Sequence, residues 1–188
     1  MGSKFAKTMF SPAARLLQQR HGSLAQYERL AALGPRDEAL GDFEQQFIAL
    51  RDSFYLASVN DDGWPYIQHR GGPAGFLHLL DGRTLAFADF AGNKQYITAG
   101  NLATNDRVAL FLMDYPHQAR LKIIGHARIV EPGQDPALEA RLRAPAYPAA
   151  TSPVTIDRIL VISIVAYDWN CSQHITPRFT QEEIARGI

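Results

Sequence analysis

The chain has 188 residues, 46% of them hydrophobic and 20% charged, and its formal net charge is zero. This suits one domain, or one domain with helical appendages, and excludes a disordered chain and a global basic field for nucleic acid. A single cysteine, Cys171, excludes an intramolecular disulfide and a four-cysteine zinc site, and fits a reducing cytoplasm.

The first residues, Met1 to Ala6, lack the apolar run of a signal peptide, and Ala6 stands where N-myristoylation expects Ser or Thr. Residues 10 to 50 are helical in pattern, started by Ser11-Pro12 and broken by Gly22 and Gly34-Pro35. The last piece, Asp42 to Arg51, is expected to set Phe43, Phe47 and Leu50 on one side. At Ser53 the period changes. Phe54 to Val59 and Trp64 to Arg70 read as a hairpin around Asn60-Asp61-Asp62-Gly63; Phe76 to Leu80 and Thr84 to Asp89 read as another around Asp81-Gly82.

A tight Gly-containing turn follows, then a helix from about Asn93 to Thr104. The spacing puts Asn93 and Lys94 in its first turn. Backbone N–H groups at a helix N-terminus are unsatisfied and favour an anion, so the segment can form a cradle for one phosphate, although on its own it reads first as an ordinary surface turn. Arg107 to Met113 is a continuous apolar strand, expected to be buried on both faces. Arg120 to Val130 alternates, with Leu121, Ile123, Gly125, Ala127 and Ile129 on a core face and Arg120, Lys122, Ile124, His126 and Arg128 on a basic face. A short helix spans Pro136 to Leu142, and a Pro/Ala-rich loop runs to Pro153. Arg158 to Tyr167 is the last long strand. Its core, Ile159 to Ala166, is the longest apolar run and is too short to span a bilayer as a helix. A final helix is opened by Thr180. Six or seven hairpin-connected strands with one inserted helix predict a small closed antiparallel barrel. Residues 1–50 form a helical extension and 51–188 the barrel domain.

Six histidines are present, none paired at the i, i+4 spacing of a zinc protease, and no Gly-x-Ser-x-Gly or Gly-x-Gly-x-x-Gly motif occurs. Gly71-Gly72-Pro73-Ala74-Gly75 opens no helix and reads as a bulge or a close backbone approach. Gln68-His69-Arg70, ending a strand beside these glycines, suits a ligand or a solvated strand end. The tail Trp169-Asn170-Cys171-Ser172-Gln173-His174 carries an aromatic, amides, a thiol and an imidazole. A lone barrel offers no evident cover for Trp169, so a neighbouring subunit or a planar ligand is expected there.

Taken together, Asp62 to Pro73, Phe87 to Tyr96, Gly100-Asn101-Leu102, Leu112 to Pro116 and Trp169 to Phe179 are similar to the FMN-binding split-barrel proteins related to pyridoxamine 5′-phosphate oxidase, in a bacterial branch of that family. The resemblance covers the chain from about Phe10 onward. It implies an α+β, mainly β fold, a six-stranded antiparallel split β-barrel, assembled as a homodimer with FMN in each interface cleft. By the same resemblance Asn93, Lys94 and Gln95 would hold the phosphate, and Gln68, His69 and Arg70 would line the ring and ribityl chain. Ala88, Asp89 and Phe90 would border the ring, Arg120 would contact the flavin, and Trp169 would reach the flavin of the other subunit. His174 and Arg178 stand near where the oxidases carry a substrate-binding His and Arg.

Two departures matter. The phosphate turn reads Gly92-Asn93-Lys94 where the oxidases have Ser-Arg-Lys, one cation fewer, and the tail motif differs, so vitamin B6 oxidation is not implied. The extra N-terminal helices could narrow the active-site mouth. The expectation is a cytoplasmic FMN-dependent oxidoreductase with no metal, membrane or nucleic-acid partner. Arg120 or Lys122 would stabilise the reduced flavin, and His69 or His174 would serve as proton donor. The alternatives are a non-catalytic flavin or electron-transfer protein, or a related barrel that uses deazaflavin or haem.

Overall fold

The computed structural model describes residues 2–142, 155–169 and 171–187. The loop expected up to Pro153, and Asn170 of the tail motif, lie outside the described residues.

Four helices open the chain: α1 (Ser3–Met9), α2 (Pro12–Arg20), α3 (Leu24–Leu33) and α4 (Asp42–Ala49). The Ser11 hydroxyl accepts the Ala14 N–H and Pro12 occupies the first turn, so α2 starts where the sequence indicated. Gly22 ends it in the left-handed conformation, at φ 74°. Helix α1 precedes the segment with a helical pattern. Its first amides, Lys4 and Phe5, donate to the buried Asp37 carboxylate at 2.9 and 2.7 Å. That cap comes from a distant residue, which local pattern cannot reveal. The buried face of α4 is Glu44, Phe47 and Ile48, whereas Phe43 and Leu50 stay exposed. The expected Phe43–Phe47–Leu50 stripe is therefore corrected.

The strands are β1 (Ser53–Val59), β2 (Pro65–Gly71), β3 (His78–Asp81), β4 (Thr84–Phe90), β5 (Arg107–Asp114), β6 (Ala119–Val130) and β7 (Ile156–Trp169). Helix α5 (Ile97–Thr104) lies between β4 and β5, α6 (Pro136–Leu142) precedes β7, and α7 (Gln181–Arg186) ends the described chain. The Thr180 capping box at α7 is as expected. One antiparallel sheet forms, in the order β2-β1-β5-β6-β7-β4-β3.

The six-stranded closed barrel is thus corrected on two counts: there are seven strands, and the sheet stays open between β2 and β3. The connecting segment explains the opening. Pro73 has no N–H, and the Gly72 and Gly75 amides are committed to the Asp52 and Arg51 carbonyls at 2.8 and 3.0 Å. A Cβ at Gly72 would meet the Phe76 ring at 2.4 Å, the close approach its glycine permits. The sheet still curls on itself. Phe54 of β1 meets Phe87 of β4 with ring centroids 5.3 Å apart, although three strands separate β1 from β4 in the sheet. The result is a split barrel around a core that includes Phe54, Leu56, Phe87, Leu110 and Ile123.

Strand β5 is buried on one face only. Val108, Leu110 and Leu112 point inward, and Arg107 and Ala109 are exposed, because a curled antiparallel sheet has a single inner face. The alternation read in β6 holds from Leu121 to Ala127 but not at its end, where Ile129 is half-buried and Val130 is buried in a second cluster with Leu138 and Ile159.

Two glycines differ in their tolerance. A Cβ at Gly125, where β6 slips register against β7, would lie 2.5 Å from the Ser163 carbonyl oxygen. Gly125→Ala is expected to cost about 1–3 kcal/mol in urea unfolding. Gly100, inside α5, has open space around a Cβ. Gly100→Ala is expected to add about 0.5–1 kcal/mol by helix propensity.

Candidate functional site

The period of two along β2 sends Tyr66, Gln68 and Arg70 inward, in register with Ser58, Leu56 and Phe54 of β1. Polar residues on the inner face of an edge strand make a cleft instead of core. Its volume is about 280 Å³. Its walls are this β2 face, Asp89 and Phe90 at the end of β4, the turn 92–96, the start of α5, and Asp157 and Arg158 at the start of β7. The β4–β7 ladder sets Asp89 opposite Arg158.

Two side-chain hydrogen bonds seat α5 on the sheet. Thr98 Oγ1 donates to Gln68 Oε1 at 2.8 Å, and Asn101 Nδ2 donates to Ser58 Oγ at 2.9 Å. They bring Ile97, Thr98 and Ala99, the first turn of α5, to the cleft. The helix does not begin at Asn93, as the spacing suggested. Lys94 and Tyr96 are left-handed, at φ 59° and 54°, which no helix continues. The Asn93 side chain accepts the Gln95 N–H at 3.2 Å and closes a turn instead. Asn93, Lys94 and Gln95 therefore precede the helix, yet all three line the cleft. Left-handed backbone at non-glycine residues costs about 1–2 kcal/mol each, and such strain clusters at ligand-binding turns.

Charge converges on Asp89. Arg70 Nη1 donates to Asp89 Oδ1, their side chains only 12% and 19% exposed. Arg158 Nε stands 4.0 Å from Asp89 Oδ2, its Nη2 pairs with Asp157 Oδ2, and its guanidinium lies over the Tyr96 ring at 4.6 Å. Burial lowers the Arg70 pKa from its ordinary value, and the Asp89 carboxylate opposes that shift. The Nε atoms of Arg70 and Arg158 are both buried without a hydrogen-bond partner. The arrangement can hold an anion and hydroxyl-bearing groups. Among the described residues, no group of three His, Cys, Asp or Glu side chains could hold a metal ion.

Of the residues singled out in the sequence, Gln68, Arg70, Asp89, Phe90, Asn93, Lys94 and Gln95 share this cleft. His69 does not, because alternation turns it to the outer face, against Tyr55 at 5.7 Å between ring centroids. Together with the buried Ala88 it lines a shallow depression of about 170 Å³ across the Arg70–Asp89 pair. Tyr66, Tyr96, Thr98, Asp157 and Arg158 were missed. Arg158 carried one usable signal, its antiparallel register with Asp89, which requires knowing that β4 pairs with β7.

Arg120, Trp169 and His174 sit away from the cleft. Arg158 and Trp169 stand at opposite ends of β7, roughly 35 Å apart at about 3.3 Å per residue. Trp169 is covered within its own chain, which corrects the expected lack of cover. Its Nε1 donates to Glu44 Oε1 at 2.7 Å, and Phe43 and Phe47 pack on it at 5.1 and 4.8 Å. Arg120 pairs in the ladder with Met113, and its buried Nε has no hydrogen-bond partner. Lys122 is bound to the buried Asp168 at 2.9 Å and lies over Phe5. His174 is exposed at φ 64°, beside Ile175, whose carbonyl accepts from Gln118 Nε2 at 2.6 Å. None of the residues 2–50 of this chain lines the cleft, so its N-terminal helices do not narrow the mouth; α4 packs instead on Trp169, at the other end of β7.

Glu44 accepts from both the Trp169 indole and the Gly41 N–H. Glu44→Ala is expected to cost about 1–3 kcal/mol by leaving these donors unpaired. In a Trp64→Phe background, Trp169 emission should shift toward the red. An unchanged spectrum would mean that Glu44 does not fix the indole.

Residues 40–165 match the family model described as pyridoxamine 5′-phosphate oxidase. Among curated proteins none matches the sequence significantly. Solved structures share the fold. A candidate pyridoxamine 5′-phosphate oxidase from Lactobacillus delbrueckii is 20% identical, with a TM-score of 0.51 over 70% of this chain and 94% of that one. An FMN-binding protein from Syntrophomonas wolfei is 16% identical, with a TM-score of 0.50 over 83% and 97% of the two chains. HupZ from Group A Streptococcus is 15% identical, with a TM-score of 0.51 over 74% and 99%. No described helix is long and apolar enough to cross a membrane. The family match spans most of the chain and includes every residue lining the cleft, and on that ground the chain belongs to the pyridoxamine 5′-phosphate oxidase family.

Proposed function

We propose that this chain binds FMN in the cleft and serves as an FMN-dependent oxidoreductase for a small molecule. The observation that carries the reading is the cleft's donor set: Lys94, the first turn of α5 and the guanidinium groups of Arg70 and Arg158, brought together around it from four elements. A flavin mononucleotide offers one phosphate, a hydroxylated chain and a planar ring, and these donors suit the first two. Asn93, Lys94 and Gln95 would hold the phosphate. Gln68 and Arg70 would meet the ribityl chain, and Asp89 and Phe90 would edge the ring, with Ala88 and His69 lying across the Arg70–Asp89 pair from it. The Thr98 hydroxyl fixes Gln68 Oε1 as an acceptor and so orients its amide. When bound, FMN supplies hydride and single-electron transfer, and the protein orients and tunes it.

The proposal includes a homodimer. The outer face of β1 and β2 leaves Tyr55 and Ile67 40% and 65% exposed, and Arg120 and Trp169 lie too far along the sheet to meet the cleft of their own chain. A second copy on that face would bring Arg120, Trp169 and His174 toward the partner's cleft.

The purified protein is expected to be yellow and to release FMN, not FAD. Lys94→Ala should weaken FMN binding about ten- to a hundredfold, the value of a charge-assisted phosphate contact, with little effect on riboflavin. A colourless protein that takes up no FMN in a titration would sink the reading; equal losses for both ligands would move Lys94 away from the phosphate. The dimer is checked by sedimentation of the FMN-loaded protein. A species at the 20.9 kDa chain mass would overturn it.

A further inference from the structure

We infer that Arg158, delivered by the last strand, is the second cation of the phosphate site, and that with Lys94 it makes the cleft select a phosphate monoester over neutral ligands. The turn Gly92-Asn93-Lys94 brings one cation, and the fold brings the other from a distant part of the chain. Arg158 is held in place on several sides. The Tyr96 ring lies under its guanidinium at 4.6 Å, Asp157 takes Nη2, and the Asp89 carboxylate stands 4.0 Å from Nε. Its side chain is only 11% exposed, and the buried Nε has no hydrogen-bond partner. A guanidinium has five N–H donors in a rigid fork suited to phosphate oxygens. Asp157 takes only one of the two terminal nitrogens, so the guanidinium's other terminal N–H groups are what Arg158 would offer an incoming oxyanion, from a position already fixed. The charges around the cleft agree. Arg70, Lys94 and Arg158 face Asp89 and Asp157, three cations against two carboxylates, which leaves one positive charge for an anion. The left-handed backbone at Tyr96, φ 54°, occurs at the residue whose ring supports Arg158.

The inference takes the ligand's identity from the FMN reading above, but the anion site can be probed without a flavin. FMN, riboflavin and inorganic phosphate are titrated into the full chain by calorimetry. The thermal midpoint is also compared in phosphate and chloride at equal ionic strength. The variants are Arg158→Gln and Tyr96→Ala; Tyr96 is a half-exposed position at which folding should persist. Arg158→Gln is expected to weaken FMN about ten- to a hundredfold, to change riboflavin less than about threefold, and to abolish the phosphate-dependent rise in midpoint. Tyr96→Ala should weaken FMN about two- to fivefold by removing the cation–π support, and it decides the matter if Arg158→Gln does not fold. Equal losses of FMN and riboflavin would show that Arg158 only steadies Asp89 and would overturn the inference. Unchanged FMN affinity in both variants would overturn it by leaving the anion to Lys94 alone. A wild type that takes up phosphate through Arg158 but refuses FMN would uphold the anion site and defeat the flavin reading. One that binds neither ligand would defeat both.

Discussion

The Arg70–Asp89 ion pair spans a seam that no backbone ladder closes. Strands β2 and β3 are the two edges of the sheet, and the glycine- and proline-containing segment between them commits its amides elsewhere. Where a closed barrel would have a row of hydrogen bonds, this chain has a guanidinium from β2 on a carboxylate from β4. The pair is mostly buried, and removing one partner of such a pair strands the other charge in a medium that solvates it poorly. The same contact separates the deep cleft from the shallow depression that holds His69 and Ala88. It also sets the carboxylate toward which Arg158 is drawn. Shape, electrostatics and the distribution of candidate residues around the cleft therefore follow from one side-chain contact.

The strained turn beside the seam survives because its far end is anchored. Lys94 and Tyr96 adopt left-handed backbone, which side chains with a Cβ resist. The helix that follows is held by Thr98 on Gln68 and Asn101 on Ser58, two hydrogen bonds of about 1 kcal/mol each in the partly buried space over β1 and β2. These contacts fix where α5 begins, and so where its unpaired amides lie. A turn with such a backbone and no anchored helix would relax toward a right-handed start nearer Asn93.

The far end of β7 is organised by α4. Glu44, buried yet charged by type, satisfies the Trp169 indole and the Gly41 amide, while Phe43 and Phe47 flank the ring. Burial also raises the Tyr167 pKa above its ordinary value, with the nearby Glu44 and Asp37 carboxylates acting in the same direction. The N-terminal helices thus cover an end of the barrel remote from the cleft. Trp169 is a fixed surface whose orientation is settled before any partner approaches.

Local chemistry sufficed for most of the elements. Ser11-Pro12, Gly22, Asp81-Gly82 and the Thr180 capping box act within a few residues, so the sequence alone marked those boundaries, and strict alternation marked the inner face of β6. Lys94, Asn93, Arg70 and Gln68, which share the cleft, were legible as candidates because a turn and a strand end carry them with glycines close by. What required tertiary structure was every fact that depends on residues distant in the chain. The Asp37 cap created α1, and Glu44 covered Trp169. The β4–β7 register delivered Arg158, and the commitment of the Gly72 and Gly75 amides left the barrel split. Period and propensity report what a segment prefers on its own. Which carboxylate meets which guanidinium is decided only when the sheet curls and buries both.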